Sequence, residues 1–295
     1  MRAFVTGGHG FVGTWLRRHL AEQGDEVVAP GSEVDVTDPG ALRPALERAG
    51  AEVVYHLAGL AHVGRSWEEP EEFLRVNAGG TLNVLEAARR AAPPPRVLVI
   101  SSAEVYGQVT PEQLPITEDA PARPVSPYAA SKAAAEVVAR QAFLGHGTAV
   151  VVARPFNHIG PGQDPGFLVA GLAARILAAR RDGSRVIGVG NLTPRRDLTD
   201  VRDIVRAYRL LAVGGEAGRT YNVCSGRDHS VQEVVDRLLA LAGDGLTAAV
   251  DPALVRAVEV PVLRGDPSRV RAATGWAPVL CLDDTLSAVL ASLGG

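Results

Sequence analysis

Lysine is almost missing from this chain of 295 residues. Lys132 is the only lysine among 30 Lys and Arg residues, so arginine supplies the other 29 cationic side chains. Methionine occurs only as Met1, and aromatic residues make up 5% of the chain. The bias toward arginine makes most single arginines uninformative about function, and it makes the retained lysine informative.

Cysteine and histidine are also scarce, and this excludes classes of protein. Cys224 and Cys281 are too few for a disulfide framework, and their apolar neighbours predict buried free thiols. The seven histidines show no ligand-like spacing, so we expect no metal site. A formal net charge of −3 gives no electrostatic case for nucleic acid as a partner.

Long hydrophobic runs are missing as well. None approaches the roughly 18 residues of a membrane span, and the N-terminus enters a strand pattern without the features of a signal peptide. An apolar content of 46% is that of an ordinary globular protein. We therefore expect a cytoplasmic protein with no membrane partner.

The first half of the chain alternates short β-rich runs with helical patterns. Nearly continuous apolar runs such as Arg96–Ser101 are typical of parallel strands covered on both faces. The alternation predicts an α/β protein built on a doubly wound parallel sheet of the Rossmann type. The predicted strands are Arg2–Thr6, Glu26–Ala29, Glu52–His56, Arg96–Ser101 and Thr148–Ala153, and the predicted helices are Phe11–Gln23, Pro39–Ala49 after an Asp38 cap, Glu71–Ala91 and Pro127–Leu144.

The second half is less regular and predicts a smaller mixed α/β lobe. We expect 1–155 to form the first domain, with 197–225 returning to it, and 156–196 together with 226–295 to form the second lobe. The patterns predict a loop Pro155–Gly166, helices Phe167–Arg181, Val201–Val213 and Ser230–Ala242, strands Arg185–Val189 and Arg219–Val223, a polar stretch Asn191–Asp200, an irregular segment Pro252–Pro267 and two short helices at the end.

A glycine-rich turn follows the first predicted strand and opens the first helix. Gly7 permits a tight turn, Gly10 lets backbone N–H groups approach a pyrophosphate at the helix N-terminus, and Gly13 allows close helix–strand packing. The spacing differs from the Gly-x-Gly-x-x-Gly form, and a purely structural turn is the alternative. The context predicts dinucleotide binding by the segment Gly7, Gly10, Phe11, Val12 and Gly13.

The end of the second predicted strand selects the cofactor. A carboxylate there binds the ribose 2′-hydroxyl of NAD, whereas a basic residue favours NADP. The segment Ala29-Pro30-Gly31-Ser32 offers neither, and the lack of an acid favours NADP(H) over NAD(H), with dual use left open. Further cofactor contacts are predicted at the adenine edge and along the channel after the third strand: Asp35, Val36, Leu57, Ala58 and Gly59.

The lone lysine stands four residues after a tyrosine, on one helical face. An ammonium is a compact point charge that a wide guanidinium cannot replace, so Lys132 indicates a site. We expect it to lower the pKa of the Tyr128 phenol from about 10 toward working pH, which would let Tyr128 transfer a proton. Ser101 and Ser102 end an apolar strand, where ligands bind, and a hydroxyl there can polarise a carbonyl. A surface pair of helical residues is the alternative.

Together these motifs resemble the extended short-chain dehydrogenase/reductase family, which acts on nucleotide-diphosphate sugars. The resemblance covers nearly the whole chain and implies that Ser102, Tyr128 and Lys132 form a catalytic triad. It further implies that Lys132 and Asn77 lie at the cofactor, that the backbone at Pro155 meets the carboxamide end, and that Asn157 contacts the sugar nucleotide. The matching segments are Gly7/Gly10/Gly13, His56-Leu57-Ala58-Gly59, Asn77-Ala78-Gly79-Gly80-Thr81, Ser102 before Tyr106-Gly107, Tyr128-x-x-x-Lys132 and Arg154-Pro155-Phe156-Asn157.

Within this family, several segments look like the branch that acts on GDP-linked sugars. The resemblance implies a GDP-sugar pocket in the second lobe, and Arg196 and Arg264 are candidates for the diphosphate because arginine makes bidentate contacts. A surface cation is the alternative for either. The segments are Ala153 to Gln163, Tyr221 to Gly226, Val260 to Asp266 and Thr274-Gly275-Trp276-x-Pro278.

The reaction has three candidate forms in this family. A 4,6-dehydratase needs an acid/base pair beyond the triad, but Ala103 has no proton to give at the first of these positions, while Glu104 holds the second. Glu104 keeps that alternative open, and an epimerase needs only the triad and room for the sugar to turn. We expect NAD(P)H-dependent reduction of the 4-keto group of a GDP-linked 6-deoxyhexose, with Ser102, Ala103 and Glu104 at the substrate. Related enzymes pair through two helices per subunit, so a homodimer through Glu71–Ala91 and Pro127–Leu144 is expected.

Overall fold

The computed structural model describes residues 1–243, 245–255 and 260–294. Its strands are β1 Arg2–Thr6, β2 Glu26–Val28, β3 Val53–His56, β4 Arg96–Ile100, β5 Val150–Pro155, β6 Asn157–Ile159, β7 Val186–Val189, β8 Arg195–Asp200, β9 Thr220–Val223, β10 Asp228–Ser230, β11 Thr247–Val250 and β12 Val262–Leu263. Its α-helices are α1 Phe11–Glu22, α2 Pro39–Ala49, α3 Val63–Ser66, α4 Pro70–Phe73, α5 Gly80–Arg90, α6 Pro127–His146, α7 Leu168–Asp182, α8 Val201–Gly214, α9 Val231–Ala242, α10 Ser268–Thr274 and α11 Leu282–Gly294.

The main sheet has six strands in the order β2-β1-β3-β4-β5-β9, and all of its pairings are parallel. The chain passes from β1 to β2 on one side and then crosses to β3 on the other side of β1, which creates a switch point between β1 and β3 where ligands bind in such sheets. Apolar side chains of α1 and α8 cover one face of the sheet, and those of α2, α5 and α6 cover the other. The predicted doubly wound parallel sheet of the Rossmann type is thus confirmed.

A second lobe contains a small sheet in which β8 lies between β10 and β12 and also pairs with β6. Helices α7, α9 and α11 share a separate apolar core beside it. Strand β9 pairs with β5 at the edge of the main sheet, and α8 packs on α1. Val270 and Trp276, from the segment assigned to the second lobe, lie in the core of the main sheet.

Several predicted elements differ from the observed ones. The helix predicted over Glu71–Ala91 consists of α4, a π-helical turn Leu74–Gly79 and α5. The π-helical turn contains Asn77, whose side chain is hydrogen-bonded to Leu60 and Ser131 outside this helix. The polar stretch Asn191–Asp200 contains strand β8, and the loop Pro155–Gly166 contains β6. The irregular segment Pro252–Pro267 holds β12 and a short 3₁₀ turn, and its residues 256–259 lie outside the described part. Strands β10 and β11 are not in the sequence prediction.

One of the two cysteines also differs from the prediction. Cys224 is buried, but Cys281 is exposed, so the prediction of a buried thiol is wrong there. Cys281 directly precedes α11, and its sulfur accepts the Asp284 N–H at 3.4 Å. None of the described helices has the length and apolar content needed to cross a membrane.

Candidate active site

The glycine turn joins the first and third strands of the sheet closely. Gly7 has φ +67°, and a Cβ there would lie 2.7 Å from the Ala58 nitrogen. A Cβ on Gly13 would lie 2.2 Å from the Gly7 oxygen, so both positions require glycine. Ala58 also donates its N–H to the Thr6 hydroxyl at 3.2 Å, which fixes the backbone of Leu57–Gly59 against the turn. The predicted lining of the channel and the glycine turn therefore face the switch point together.

The N-terminus of α1 has the properties of an anion site. Gly10 is its N-cap, no side chain in the described residues caps the helix, and its first turn contains no acidic residue. A Cβ on Gly10 would have only the Gly7 oxygen at 3.5 Å as a close neighbour, which leaves space in front of the helix. Backbone N–H groups and the positive end of the helix dipole therefore point into a cradle that fits a pyrophosphate. Phe11, the first residue of α1, stacks on His158 with 6.2 Å between ring centroids.

Charged side chains from other segments lie at the end of β2, although residues 29–32 themselves include neither an acid nor a base. A Cβ on Gly8 would lie 2.7 Å from the Ala29 Cβ and 3.2 Å from the Arg17 Cδ, so Arg17 of α1 reaches this strand end. His9 lies between them, 3.4 Å from both the Ala29 oxygen and an Arg17 guanidinium nitrogen. Glu33 turns its carboxylate back to accept the Gly31 N–H at 2.9 Å. Sequence reasoning missed Arg17 because it approaches from the helix and not from the strand.

Asp35 and Val36 lie in the turn beyond β2. Asp35 is exposed and accepts hydrogen bonds from the N–H and hydroxyl of Thr37, at 2.8 and 2.9 Å, so its carboxylate is engaged locally. Val36 is buried against Gly80, whose absent Cβ would lie 2.7 Å from a Val36 methyl group. Val36 therefore packs the first turn of α5 against this loop.

Asn77 connects the cofactor channel to α6. Its side-chain oxygen accepts the Leu60 N–H at 2.8 Å, and its amide nitrogen donates to the Leu60 oxygen at 3.1 Å and to the Ser131 hydroxyl at 2.8 Å. The π-helical turn directs this amide out of the helix, as such turns often do at functional sites. A buried amide with its atoms engaged in this way acts as a structural clamp.

Ser102 and Tyr128 meet where β4 and α6 come together. Ser102 directly follows Ser101 at the end of β4 and caps the 3₁₀ turn Ala103–Tyr106 by accepting the Glu104 N–H at 3.2 Å. Tyr128 stands in the first turn of α6, which Ser126 caps through the Ala129 N–H. The Ser102 hydroxyl lies close enough to the Tyr128 phenol to lower the pKa of that phenol. Both side chains are buried, and Ala103 beside them is buried too.

Lys132 lies one turn further along α6. It is buried, and its ammonium donates to the Ile100 oxygen at 2.9 Å. A Cβ on Gly59 would lie 3.4 Å from this ammonium, so Lys132 faces the segment predicted to line the cofactor channel. Burial lowers the pKa of Lys132 to about 8, and the negative charge of Glu136 acts against that shift.

The expected acidification of Tyr128 is wrong for this structure. Burial raises the pKa of Tyr128 to about 12, and the hydrogen bond with Ser102 lowers it only in part. The nearby charge of Glu104 raises it further. The cause is that the phenolate would be desolvated, while the Lys132 ammonium is directed at the Ile100 oxygen. Tyr128 is therefore held as a neutral phenol that carries a proton.

The candidate residues for the sugar nucleotide line the second lobe. Asn157 opens β6, and its side-chain oxygen is buried without a partner among the described residues. Arg264 pairs with Asp228 at 3.3 Å, yet its Nε is buried without a hydrogen-bond acceptor in the described chain. Arg196 lies in β8 opposite Leu263, the neighbour of Arg264. Arg196 of β8 therefore lies close in sequence register to Arg264, which directly follows the neighbouring strand β12.

A buried carboxylate organises this part of the second lobe. Asp197 accepts the N–H and hydroxyl of Ser225 at 2.8 and 2.6 Å, the Gly226 N–H at 2.8 Å and the Gly265 N–H at 3.4 Å. Burial raises the pKa of Asp197 to about 6, although these hydrogen bonds act to lower it. Pro155 ends β5 opposite Val223, so the same region of chain adjoins the end of the main sheet.

The comparisons with known proteins agree with this geometry. The model of the NAD dependent epimerase/dehydratase family matches residues 3–224. GDP-6-deoxy-D-mannose reductase of Pseudomonas aeruginosa is 40% identical over 98% of this chain and 96% of its own length.

Two solved structures are similar along their whole length. The structure of RMD from Pseudomonas aeruginosa in complex with NADPH has a TM-score of 0.91 and 36% identity, and covers 100% of this chain and 99% of that one. The Thermus thermophilus UDP-glucose 4-epimerase in complex with NAD has a TM-score of 0.89 and 30% identity, with coverage of 100% and 99%.

Proposed function

The chain belongs to the NAD dependent epimerase/dehydratase family, and from this premise we propose that it reduces the 4-keto group of a GDP-linked 6-deoxyhexose. The substrate would be GDP-4-keto-6-deoxy-mannose and the product GDP-rhamnose. The observation that carries the proposal is the neutral Tyr128 phenol, which lies beside Ser102 and one helical turn before the buried Lys132 at the end of a parallel strand. The 40% identity with a GDP-6-deoxy-D-mannose reductase supports the substrate class.

The side chains fit the roles that this reaction requires. NADPH, when bound, supplies the hydride that forms the new C4–H bond. Ser102 donates a hydrogen bond to the 4-keto oxygen and orients it, and Tyr128 donates its proton to that oxygen as the alcohol forms. Lys132, one helical turn from Tyr128, would offer its positive charge to the phenolate that remains and would bind the nicotinamide ribose. A tyrosine with a pKa of about 12 before ligands bind holds its proton until that charge and the developing alkoxide act on it.

Two further reactions of the family stay as alternatives. Glu104 lies close enough to raise the pKa of Tyr128, which favours the 4,6-dehydratase alternative for GDP-mannose because that reaction needs a carboxylate near the sugar. The similarity to a UDP-glucose 4-epimerase supports the epimerase alternative. Ala103, which has no ionisable group, supports reduction over dehydration.

We propose NADP(H) as the preferred cofactor. Arg17 at the end of β2 supplies a cationic group that a ribose 2′-phosphate requires, and His9 lies beside it as a further hydrogen-bonding group. Gly7, Gly10, Phe11, Val12 and Gly13 would hold the pyrophosphate, and Leu57, Ala58, Gly59, Asn77, Ser101 and Pro155 would line the nicotinamide end.

Each lobe would have its own task. We propose that the main sheet with α8 and α10 binds the dinucleotide, and that the second lobe, formed by β6 to β8 and by the elements from β10 onward other than α10, binds the sugar nucleotide. In that lobe Arg196 and Arg264 would bind the diphosphate, and Asn157 the sugar nucleotide. The buried unpartnered atoms of Asn157 and Arg264 support this assignment.

A homodimer through α5 and α6 completes the proposal. Val137 and Leu144 stand seven residues apart on one face of α6 and are 68% and 67% exposed, and Leu82 of α5 is 44% exposed. Apolar side chains in this arrangement are typical of a helical packing surface. Two such helices from each subunit would form a four-helix contact.

The decisive experiment uses purified protein with GDP-4-keto-6-deoxy-mannose and either NADPH or NADH. We expect oxidation of NADPH and formation of one 6-deoxyhexose product, and loss of turnover in Tyr128→Phe. Failure to oxidise either cofactor would overturn the proposal. Activity on GDP-mannose without added reductant would establish the dehydratase alternative, and equal activity on UDP- or dTDP-sugars would remove the GDP assignment.

A further inference from the structure

Glu136 is a largely covered carboxylate, of intermediate exposure, that the proposed reaction does not use. It lies on α6 one turn after Lys132, and its side chain is 12% exposed. Arg154 of β5 donates to both of its oxygens, at 2.8 and 2.6 Å, and the Ser101 hydroxyl donates to the same carboxylate. Removing a carboxylate from water is unfavourable unless its charge is paired and hydrogen-bonded. Arg154 pairs with the Glu136 charge, and both Arg154 and Ser101 donate hydrogen bonds to it.

Glu136 and Lys132 hold consecutive residues of one strand end. Lys132 donates to the Ile100 oxygen at 2.9 Å, and Glu136 accepts from the hydroxyl of the next residue, Ser101. The residue after that is Ser102. One face of α6 therefore fixes the end of β4 at two successive positions, and the distance between Ser102 and Tyr128 depends on both contacts.

The charges around Lys132 give Glu136 a second effect. From β3, His56 faces Lys132, and burial together with the lysine charge lowers the pKa of this histidine to about 3, so it stays neutral. Tyr128 on α6 is held as a neutral phenol. Arg154, which contacts Glu136 from β5, also donates to the Tyr106 hydroxyl at 2.8 Å. Glu136 is the negative charge that acts on the buried ammonium.

We propose that Glu136, held by Arg154, is a positioning residue that keeps Lys132 charged and sets the end of β4 against α6. It acts through Lys132 and Ser101, and it touches neither substrate nor cofactor. The importance of a charged Lys132 for turnover rests on the proposed reduction, but the titration of Lys132 can be measured without any substrate.

The single lysine makes this test direct. Protein grown with lysine labelled with ¹³C at the ε carbon gives one lysine resonance, and its pH titration reports Lys132 alone. In Glu136→Gln we expect the midpoint to fall by at least about one pH unit, a tenfold loss of proton affinity. The matched control is Glu86→Gln, which breaks a surface arginine–glutamate pair of α5 and should leave the midpoint unchanged.

Two further variants separate the charge from the fold. Glu136→Asp keeps the charge, so its midpoint should stay near that of the natural chain while kcat falls through the weakened hold on Ser101. The double change Glu136→Gln with Arg154→Met removes both buried charges and protects folding if the single variant is unstable. Its midpoint should also lie below that of the natural chain.

An unchanged midpoint in a folded Glu136→Gln protein, or in the double variant, overturns the inference. A lowered midpoint in a protein that turns over no GDP-sugar would retain the inference and overturn the proposed reaction. With turnover, the alkaline limb of kcat/KM should move down by the same interval as the resonance, which a purely structural role of Glu136 would not produce.

Discussion

The ammonium of Lys132 donates a hydrogen bond to the carbonyl oxygen of Ile100 at 2.9 Å, which ties helix α6 to the last residue of strand β4. Ser102 lies two residues beyond this bond and Tyr128 one helical turn before it. One lysine therefore fixes the two elements that carry the proposed proton donor and its hydroxyl partner. The surroundings of Lys132 are closed, since the side chain is buried and a Cβ on Gly59 would approach its nitrogen to 3.4 Å.

Lys132→Arg should therefore inactivate the protein, although the charge is kept. A planar guanidinium is wider than the ammonium and does not fit the closed site beside Gly59 in a position to donate to the Ile100 oxygen. We expect kcat/KM for the keto-sugar to fall about 100-fold or more, within the range of acid–base contributions. Arg140→Lys, at an exposed position of the same helix, is the control and should keep full activity. Near-normal activity of Lys132→Arg would contradict the proposed role.

The pH dependence of reduction should follow Lys132 and not Tyr128. Burial lowers the pKa of Lys132 to about 8, while burial raises the pKa of Tyr128 to about 12. The charged lysine is thus present below pH 8 and lost above it, whereas the phenol keeps its proton throughout. Steady-state assays from pH 6 to 10 should show a plateau in kcat/KM followed by a fall of about tenfold per unit on the alkaline side. A profile that stays flat to pH 10 would exclude Lys132 as the controlling group.

The sequence predicts those parts of the molecule whose pattern is local. Apolar runs such as Arg96–Ile100 predict buried parallel strands because their surroundings are apolar on both faces. Strand β8 lacks this apolar pattern and is not predicted, because Asp197, Thr199 and Asp200 are polar although they are buried. Their burial depends on distant partners, such as the Thr285 hydroxyl that donates to Asp200 at 2.7 Å.

The same distinction holds for the candidate site. Ser102, Tyr128 and Lys132 stand in short motifs that can be recognised without a structure. Arg17 and Glu136 cannot be found in this way, because their significance comes from Ala29 and Ser101, which are remote in sequence. The pKa of Tyr128 was predicted with the wrong sign because spacing shows a neighbouring charge but does not show the desolvation of the phenol.

Arg17 should determine the preference between the two nicotinamide cofactors. Arg17→Gln removes the cation at the end of β2, and a charge-assisted hydrogen bond to a phosphate contributes about 1.5–3 kcal/mol. We therefore expect the Kd for NADPH to rise about 10- to 100-fold, with little change in the Kd for NADH. Isothermal titration calorimetry with both cofactors and with 2′-phospho-AMP measures this without turnover. Arg18→Gln is the control, because Arg18 is exposed and pairs with Glu22 on the same helix. A parallel loss of affinity for both cofactors would contradict the assignment.

Asp197 should contribute to stability through the hydrogen bonds of its buried carboxylate. In Asp197→Asn one acceptor oxygen becomes an NH₂ group, which faces either the two Ser225 donors or the N–H groups of Gly226 and Gly265. We expect the free energy of unfolding to fall by about 3 kcal/mol, measured by urea denaturation at pH 7.5. Asp236→Asn, at an exposed position of α9, should change it by less than about 0.5 kcal/mol. Equal stabilities of the two variants would show that these hydrogen bonds add no net stability.

Val137 should be essential for dimer formation, because it is the apolar residue most exposed on α6. Val137→Glu places a carboxylate on the proposed packing surface, where pairing of two subunits would bury two like charges without partners. Multi-angle light scattering should show a dimer for the natural chain at micromolar concentration and a monomer for Val137→Glu. Val213→Glu is the matched control, since Val213 is 55% exposed on α8, away from α5 and α6. An unchanged circular dichroism spectrum would show that Val137→Glu is folded. A monomeric natural chain, or a Val137→Glu variant that still dimerises, would contradict a dimer through this face of α6.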